Sequence, residues 1–139
     1  MPSTLTVQPY LGFSGQARDA LTFYQSCLGG AVELMTVADS PVAAHFPPDA
    51  QEHVLHGTLT SGPLILNASD MREDTTRTHS VSLALQCVDA AQARKVFDAL
   101  AQGGTVTQPL GPSFWGGQFG ELTDRFGLHW LLNVPAEVR

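Results

Sequence analysis

Between Ser80 and Cys87 the chain alternates strictly: Val81, Leu83, Leu85 and Cys87 are apolar, while Ser80, Ser82, Ala84 and Gln86 are small or polar. A period of two predicts a strand with one face under a helix and the other towards solvent or a cleft. The period then changes. In "AQARKVFDALAQGGTV" (91 to 106), Ala93, Val96, Phe97 and Leu100 stand at helical spacing, which predicts an amphipathic helix. Asp89 followed by Gln92 resembles a capping box at its start. The same change of period occurs upstream, where "TLTVQPYLGF" runs into "ARDALTFYQSCLGGAV" (17 to 32), with Ala20, Phe23 and Cys27 on one helical face. Each helical segment ends at a Gly pair suited to the left-handed position after a helix.

These two passages are one pattern stated twice. A shift of 74 places Phe23 on Phe97, Gly29 and Gly30 on Gly103 and Gly104, Val32 on Val106, Phe13 on Cys87 and Gln8 on Ser82. Three strands follow each helix: "AVELMTVAD", "HVLHGTLTSG" and "PLILNAS", then "TVTQPLG", "QFGELTD" and "LHWLLNV". The last strands match at a shift of 65, Gly62 with Gly127 and Leu66 with Leu131, so roughly nine residues are extra in the first half. They fall in "DSPVAAHFPPDAQE", whose three prolines argue against regular structure. The expectation is an α+β fold of two βαβββ modules in tandem, about 4–70 and 78–134, within a single domain spanning 1–139.

Composition narrows the partners. The 139 residues suffice for one hydrophobic core, and 43% apolar with 14% charged content describes an ordinary globule. A net charge of −6 supplies no basic face, so neither nucleic acid nor an anionic membrane is an expected partner. There is no leader-like start and no apolar run long enough to span a bilayer. Cys27 and Cys87 lack CxxC spacing and lie in apolar settings, as buried thiols in a reducing compartment do. A cytoplasmic location is expected.

The doubled module, with "PYLGFSGQARDALTFYQSCLGG", "HVLHGTLTSG" and "FWGGQFGELTDRFGLHW", resembles the PhnB-like branch of the vicinal-oxygen-chelate superfamily. That superfamily includes glyoxalase I, extradiol dioxygenases and the fosfomycin and bleomycin resistance proteins. The resemblance runs from Pro9 to Val134. It implies a mixed eight-stranded sheet curved around an open cleft, and a homodimer. Catalytic members hold a divalent ion through His, Gln and Glu on the first and last strands of each half. Carried over, those positions are Gln8, Leu66, Ser82 and Leu131. A leucine offers a hard cation nothing, and an amide with a hydroxyl cannot replace the missing carboxylates. No metal and no cofactor are therefore expected. The histidines give an alternative. His53 and His56, three apart, fall on opposite strand faces; His45 lies in the Pro-rich loop; a relocated site would use His56, His79 or His129.

Other chemistry is sparse. No dinucleotide or phosphate loop follows a strand. Members of this branch have carried a methyltransferase label, yet no glycine-rich strand-to-helix turn is present to hold a methyl donor. Ser14 and Ser113 stand in no nucleophile elbow, and Asp124 in "DRFG" reads as a turn residue whose carboxylate bonds backbone amides. Tyr10 shares the presumed cleft face of Gln8, and His56 shares its face with Val54 and Thr58; both are candidate acid–base groups. Phe114 and Trp115 suit a cleft mouth, a dimer seam or core packing. The leading expectation is a small organic ligand held without metal by Gln8, Tyr10, His56, Ser82, Gln86, Trp115 and His129. The alternative is a lyase, isomerase or dioxygenase, either with a relocated metal or with metal-free acid–base work by Tyr10 and His56. A third reading makes dimerisation itself the role of the fold.

Overall fold

The computed structural model describes residues 5–71, 75–78 and 80–136. His79 lies outside them. The chain divides into two compact units, one ending at Thr75 and the other beginning at Thr76. The first contains β1 (Tyr10–Gly12), α1 (Ala17–Leu28), β2 (Ala31–Thr36), β3 (Val54–Ser61) and β4 (Leu64–Ser69). The second contains β5 (Leu83–Gln86), α2 (Ala90–Leu100), β6 (Thr105–Pro112), β7 (Gln118–Thr123) and β8 (His129–Val134). Each unit is thus one βαβββ module, and the α+β fold expected from the periodicity is present. The eight strands form two four-stranded sheets of identical order, β1-β4-β3-β2 and β5-β8-β7-β6. In each, the first strand runs parallel to the last and the other pairs are antiparallel.

The first strands are shorter than their alternation suggests. Gln8 and Ser82 both precede their strands. Pro9, which has no N–H to donate, stands before β1 but still accepts from Asn67 N at 3.1 Å.

In the first module α1 buries Ala17, Ala20, Leu21, Tyr24 and Cys27 against the sheet. Phe23 is only half-buried, so the buried stripe is centred on Leu21 and Tyr24 rather than on Phe23. A Cβ on Gly57 would meet Leu21 Cδ1 at 2.7 Å and Leu34 Cδ2 at 2.8 Å, and one on Gly120 would meet Phe97 Cε2 at 2.8 Å. Each helix therefore sits on its sheet at a glycine, a close approach that a side chain would prevent. In the second module Phe97 and Leu100 of α2 join Leu122, Trp130 and Leu132 in the core. α2 ends two residues before the Gly pair, with Ala101 as its cap. Asp89 caps its start as the sequence predicts, accepting from Gln92 N at 2.8 Å, while the Gln92 side chain reaches back to Val88 N at 2.8 Å.

The start of α1 is held differently. Gln16 makes no side-chain cap there. The Asp70 carboxylate, beyond the end of β4, accepts from Gly15 N (2.8 Å), Ala17 N (3.0 Å) and, through its other oxygen, Val54 N (2.8 Å). The Pro-rich insertion between β2 and β3 forms two single 3-10 turns, Ala43–His45 and Pro48–Ala50. Gln51 Nε2 bridges Ala43 O at 3.0 Å and Phe46 O at 3.1 Å there.

The pairing corrects one register. Tyr10 is opposite Asn67 and Ala84 is opposite Leu131. Since Tyr10 and Ala84 are equivalent at the shift of 74, the last strands match at 64 and not 65. The glycines used to align them, Gly62 and Gly127, sit in turns of different length. Ser61 pairs directly with Leu64, whereas Asp124 N reaches Leu128 O at 2.8 Å across one residue more. A slip of one residue moves a side chain to the opposite face. Leu66 is accordingly a core residue, 3% exposed and equivalent to Trp130, and Asn67 takes the place opposite the first strand.

Candidate functional site

On the first module, the face turned away from α1 carries Tyr10, His56, Thr58 and Asn67, with Glu33 and Met35 beside them on β2. β3 presents His56 and Thr58 on the same side because they are two apart. The sequence keeps Gly57 and Leu59 for the helix. These polar side chains form a continuous hydrogen-bonded chain. Tyr10 Oη is 3.0 Å from His56 Nδ1, with the rings 5.6 Å apart and tilted at 45°. His56 Nε2 is 3.2 Å from Thr58 Oγ1. Thr58 Oγ1 donates to Asn67 Oδ1 at 3.0 Å, and Asn67 Nδ2 donates to Gln8 Oε1 at 3.0 Å and to Pro9 O at 3.4 Å. Tyr10 remains 46% exposed.

The second module presents different chemistry on the equivalent sheet face. His129 is buried, with Nε2 at 2.9 Å from Glu121 Oε1 and Nδ1 at 3.3 Å from Thr123 Oγ1. Beside them, Asn133 Nδ2 donates to Gln86 Oε1 at 2.8 Å. Trp115 packs edge-on against Phe114 (centroids 4.9 Å apart) and Phe119 (5.6 Å). These aromatics border a hollow of about 570 Å³ with Gln108, Pro109 and Pro112. Phe114 is almost wholly exposed, and Ser113 Oγ is buried there without a hydrogen-bond partner among the described residues.

Of the residues singled out from sequence, Tyr10, His56 and Gln8 are thus joined in one network, Gln86 belongs to a smaller amide pair, and His129 is engaged by Glu121. Ser82 stands just before β5, half-buried. The sequence reading missed Asn67, hidden by the register slip. It also missed Glu121, although Phe119, Glu121 and Thr123 alternate with the buried Leu122 and Gly120. Asp124 behaves as its turn sequence indicates. Its Oδ1 accepts from Phe126 N (2.8 Å) and Leu128 N (3.1 Å), Gly127 supplies φ 86°, and Oδ2 accepts from the buried Trp130 indole N–H at 2.7 Å.

The corrected register changes the residues against which a divalent ion is tested. In the first module the positions are Gln8 and Asn67, whose carbonyl oxygens already accept from Asn67 Nδ2 and Thr58 Oγ1. In the second they are Ser82 and Leu131, one hydroxyl and one alkyl chain. Two engaged amides, a hydroxyl and a leucine do not fit a hard divalent cation. Among the described residues, no group of three or more His, Cys, Asp or Glu side chains comes together. Burial first and the neighbouring Asp89 carboxylate second push the Cys87 thiol above its ordinary value, which keeps it protonated and poorly nucleophilic.

Comparison with known proteins agrees with this architecture. Residues 6–133 match the family model described as 3-demethylubiquinone-9 3-methyltransferase. The crystal structure of protein PA1353 from Pseudomonas aeruginosa is 37% identical with a TM-score of 0.84, covering 96% of this chain and 100% of that one. A putative 3-demethylubiquinone-9 3-methyltransferase, PhnB protein, from Bacillus cereus is 26% identical with a TM-score of 0.73, over 94% and 99% of the two chains. Protein YjdN of Escherichia coli (strain K12) is 27% identical over 94% of this chain and 95% of its own. A glyoxalase/bleomycin resistance protein from Albidiferax ferrireducens T118, at 14% identity and a TM-score of 0.64 over 94% and 98%, shares the fold alone.

Proposed function

Because the chain belongs to the family described as 3-demethylubiquinone-9 3-methyltransferase and is similar to a PhnB protein, we propose that it is a PhnB-like member of the glyoxalase/bleomycin resistance/dioxygenase superfamily that binds a small organic molecule without a metal ion. The ligand-facing residues in this reading are Gln8, Tyr10, His56, Ser82, Gln86, Trp115 and His129. The observation that carries it is the linked polar chain from Tyr10 to Gln8. Those groups lie on the sheet face opposite the helix, where no core is being built, and Tyr10, His56 and Gln8 along it are exposed. Small-molecule sites combine apolar walls with a few aimed polar groups; Met35, Trp115 and Phe119 supply apolar surface on the corresponding faces of their own modules.

The test joins metal analysis to ligand screening. Protein purified without chelator should carry under about a tenth of an equivalent of any transition metal, with a thermal shift on small organics and none on divalent ions. Near-stoichiometric zinc, nickel, manganese or iron would sink the reading and turn attention to the histidines. Methyl transfer is not adopted despite the family description. The strand-to-helix connections, Phe13 to Gln16 and Cys87 to Asp89, hold one glycine between them and form no cradle for a methyl donor.

A second reading, metal-free acid–base catalysis, is favoured by the 3.0 Å contact of Tyr10 with His56. Turnover lost in His56→Ala with the fold retained would support it; unchanged turnover would end it. Assembly as a homodimer is proposed from exposed apolar side chains. Val7 is 94% and Val81 75% exposed at equivalent places before β1 and β5, and Phe114 is 97% exposed. Light scattering at low micromolar concentration should give twice the chain mass. No described helix is long and apolar enough to cross a membrane, and the two buried cysteines, not joined in a disulfide, support the proposal of a cytoplasmic location.

A further inference from the structure

Glu121 is the only Asp, Glu, Lys or Arg in the four strands of the second module. It stands on the sheet face turned away from α2, opposite Gln108 on β6 and Leu131 on β8. Its side chain is 33% exposed, and among the described residues its one ion-pair partner is the buried His129, whose Nε2 lies 2.9 Å from Oε1. An ionised carboxylate only accepts, so Nε2 carries the hydrogen of this contact. Holding the imidazole does not by itself require a charge. In the first module the residue equivalent to Glu121 is Thr58, and its neutral hydroxyl engages His56 Nε2 at 3.2 Å. Two residues before Glu121, on the same strand and the same face, Phe119 begins an aromatic corner. That spacing sets the two Cα atoms about 6–7 Å apart. The Trp115 and Phe119 rings meet at 77°, and Trp115 is 41% exposed. Both border the hollow of about 570 Å³, which is lined by uncharged residues and includes Gln108, the cross-strand neighbour of Glu121. An uncharged aromatic hollow and an isolated carboxylate are therefore adjacent.

We propose that this face of the second module binds organic cations, a protonated amine on an aromatic or other apolar body, with the ammonium on Glu121 and the body against Trp115 and Phe119. The inference rests on the ligand-binding reading above and deepens it by naming the chemical class of the ligand. His129 is a positioning residue: it holds Oε1 of the carboxylate from the buried side. The aromatic rings favour the same sign of charge, because the negative face of a ring attracts a cation and repels an anion. A neutral ligand of the same shape fills the hollow and leaves the carboxylate to water. An anion meets the Glu121 charge, and neither the strands nor the hollow lining holds a Lys or Arg to offset it. The net charge of −6 adds attraction for a cation in the same direction.

Three probes share a phenylethyl body: phenethylammonium, phenethyl alcohol and hydrocinnamate. Each is titrated into the full chain at low ionic strength and about pH 8, where an alkyl amine is protonated. The signal followed is the indole N–H of Trp115, which Trp115→Phe identifies among the two tryptophans. The cation should bind at least about fivefold tighter than the alcohol, the combined size of a part-exposed ion pair and a cation–π contact, and the anion should bind weakest. High salt should remove most of that advantage and leave the affinity for the alcohol unchanged. Glu121→Gln keeps an acceptor for His129 and should bring the cation down to the affinity of the alcohol, with the backbone amide fingerprint native. Equal affinities of cation and alcohol, or an advantage that survives in folded Glu121→Gln, overturn the cation preference while the ligand-binding reading stands. Should Glu121→Gln fail to fold, the wild type decides, and an advantage indifferent to salt overturns the proposal. If no probe moves Trp115 at millimolar concentrations although other small organics raise the melting temperature, this site is overturned and binding lies elsewhere. No melting shift with any small organic ends the ligand-binding reading itself, and this proposal with it.

Discussion

Two buried aspartates carry much of the fine structure, and they were unequally legible. Asp124 could be read from "DRFG" because its partners, Phe126 and Leu128, are two and four residues away. Asp70 could not. Two of its three partners, Gly15 and Ala17, lie 55 and 53 positions upstream, and local sequence carries no trace of such a bond. Asp70→Ala would leave three backbone N–H groups without their acceptor and detach the start of α1. The expected cost is about 2–4 kcal/mol, measured by urea denaturation; a loss under about 1 kcal/mol would mean water or another group takes over. Cys87 sets a pH dependence. Its thiol pKa is raised in the fold, chiefly by burial. Its contribution to stability is therefore complete below the unfolded-state value and is lost as pH rises through the raised one. Cys87→Ala should flatten the fall in stability above about pH 9. Parallel curves for the two proteins would exclude the thiol as the cause.

Alternation identified the elements and their faces well, since period two and period 3.6 are each dictated by backbone geometry. It was weaker on register. Residues Leu64 to Leu66 are all apolar, so the strand reads equally well with either face inward, and an anchor in a turn gave the wrong one. The helix–sheet contact would have settled it. Gly57 and Gly120 mark where Leu21 and Phe97 press on the sheets, and these glycines match at a shift of 63, one short of the last-strand value. Gly57→Ala and Gly120→Ala should each cost about 1–3 kcal/mol through overpacking. Gly120 should be the costlier, because the backbone of Leu110 at 2.9 Å cannot swing aside as a leucine tip can. Thermal melts of the two variants provide the comparison, and a milder Gly120→Ala would contradict it.

At the scale of the molecule, two modules with their own cores raise the question of whether they unfold together. The proposal that they form one domain predicts a single transition, with fluorescence of Trp130 and far-ultraviolet circular dichroism giving coincident midpoints. Separated midpoints would make each module an independent folding unit. The candidate site was legible only in part for a related reason: a shared backbone says where side chains can point and nothing of which ones do.

Tyr10, His56, Thr58 and Asn67 occupy the places held in the second module by Ala84, Phe119, Glu121 and Leu131. One scaffold has been issued twice with different equipment. The second module is therefore a ready-made blank for the first: four exchanges of side chain, with no change of main chain, would graft the hydrogen-bonded run from Tyr10 to Asn67 of one onto the other.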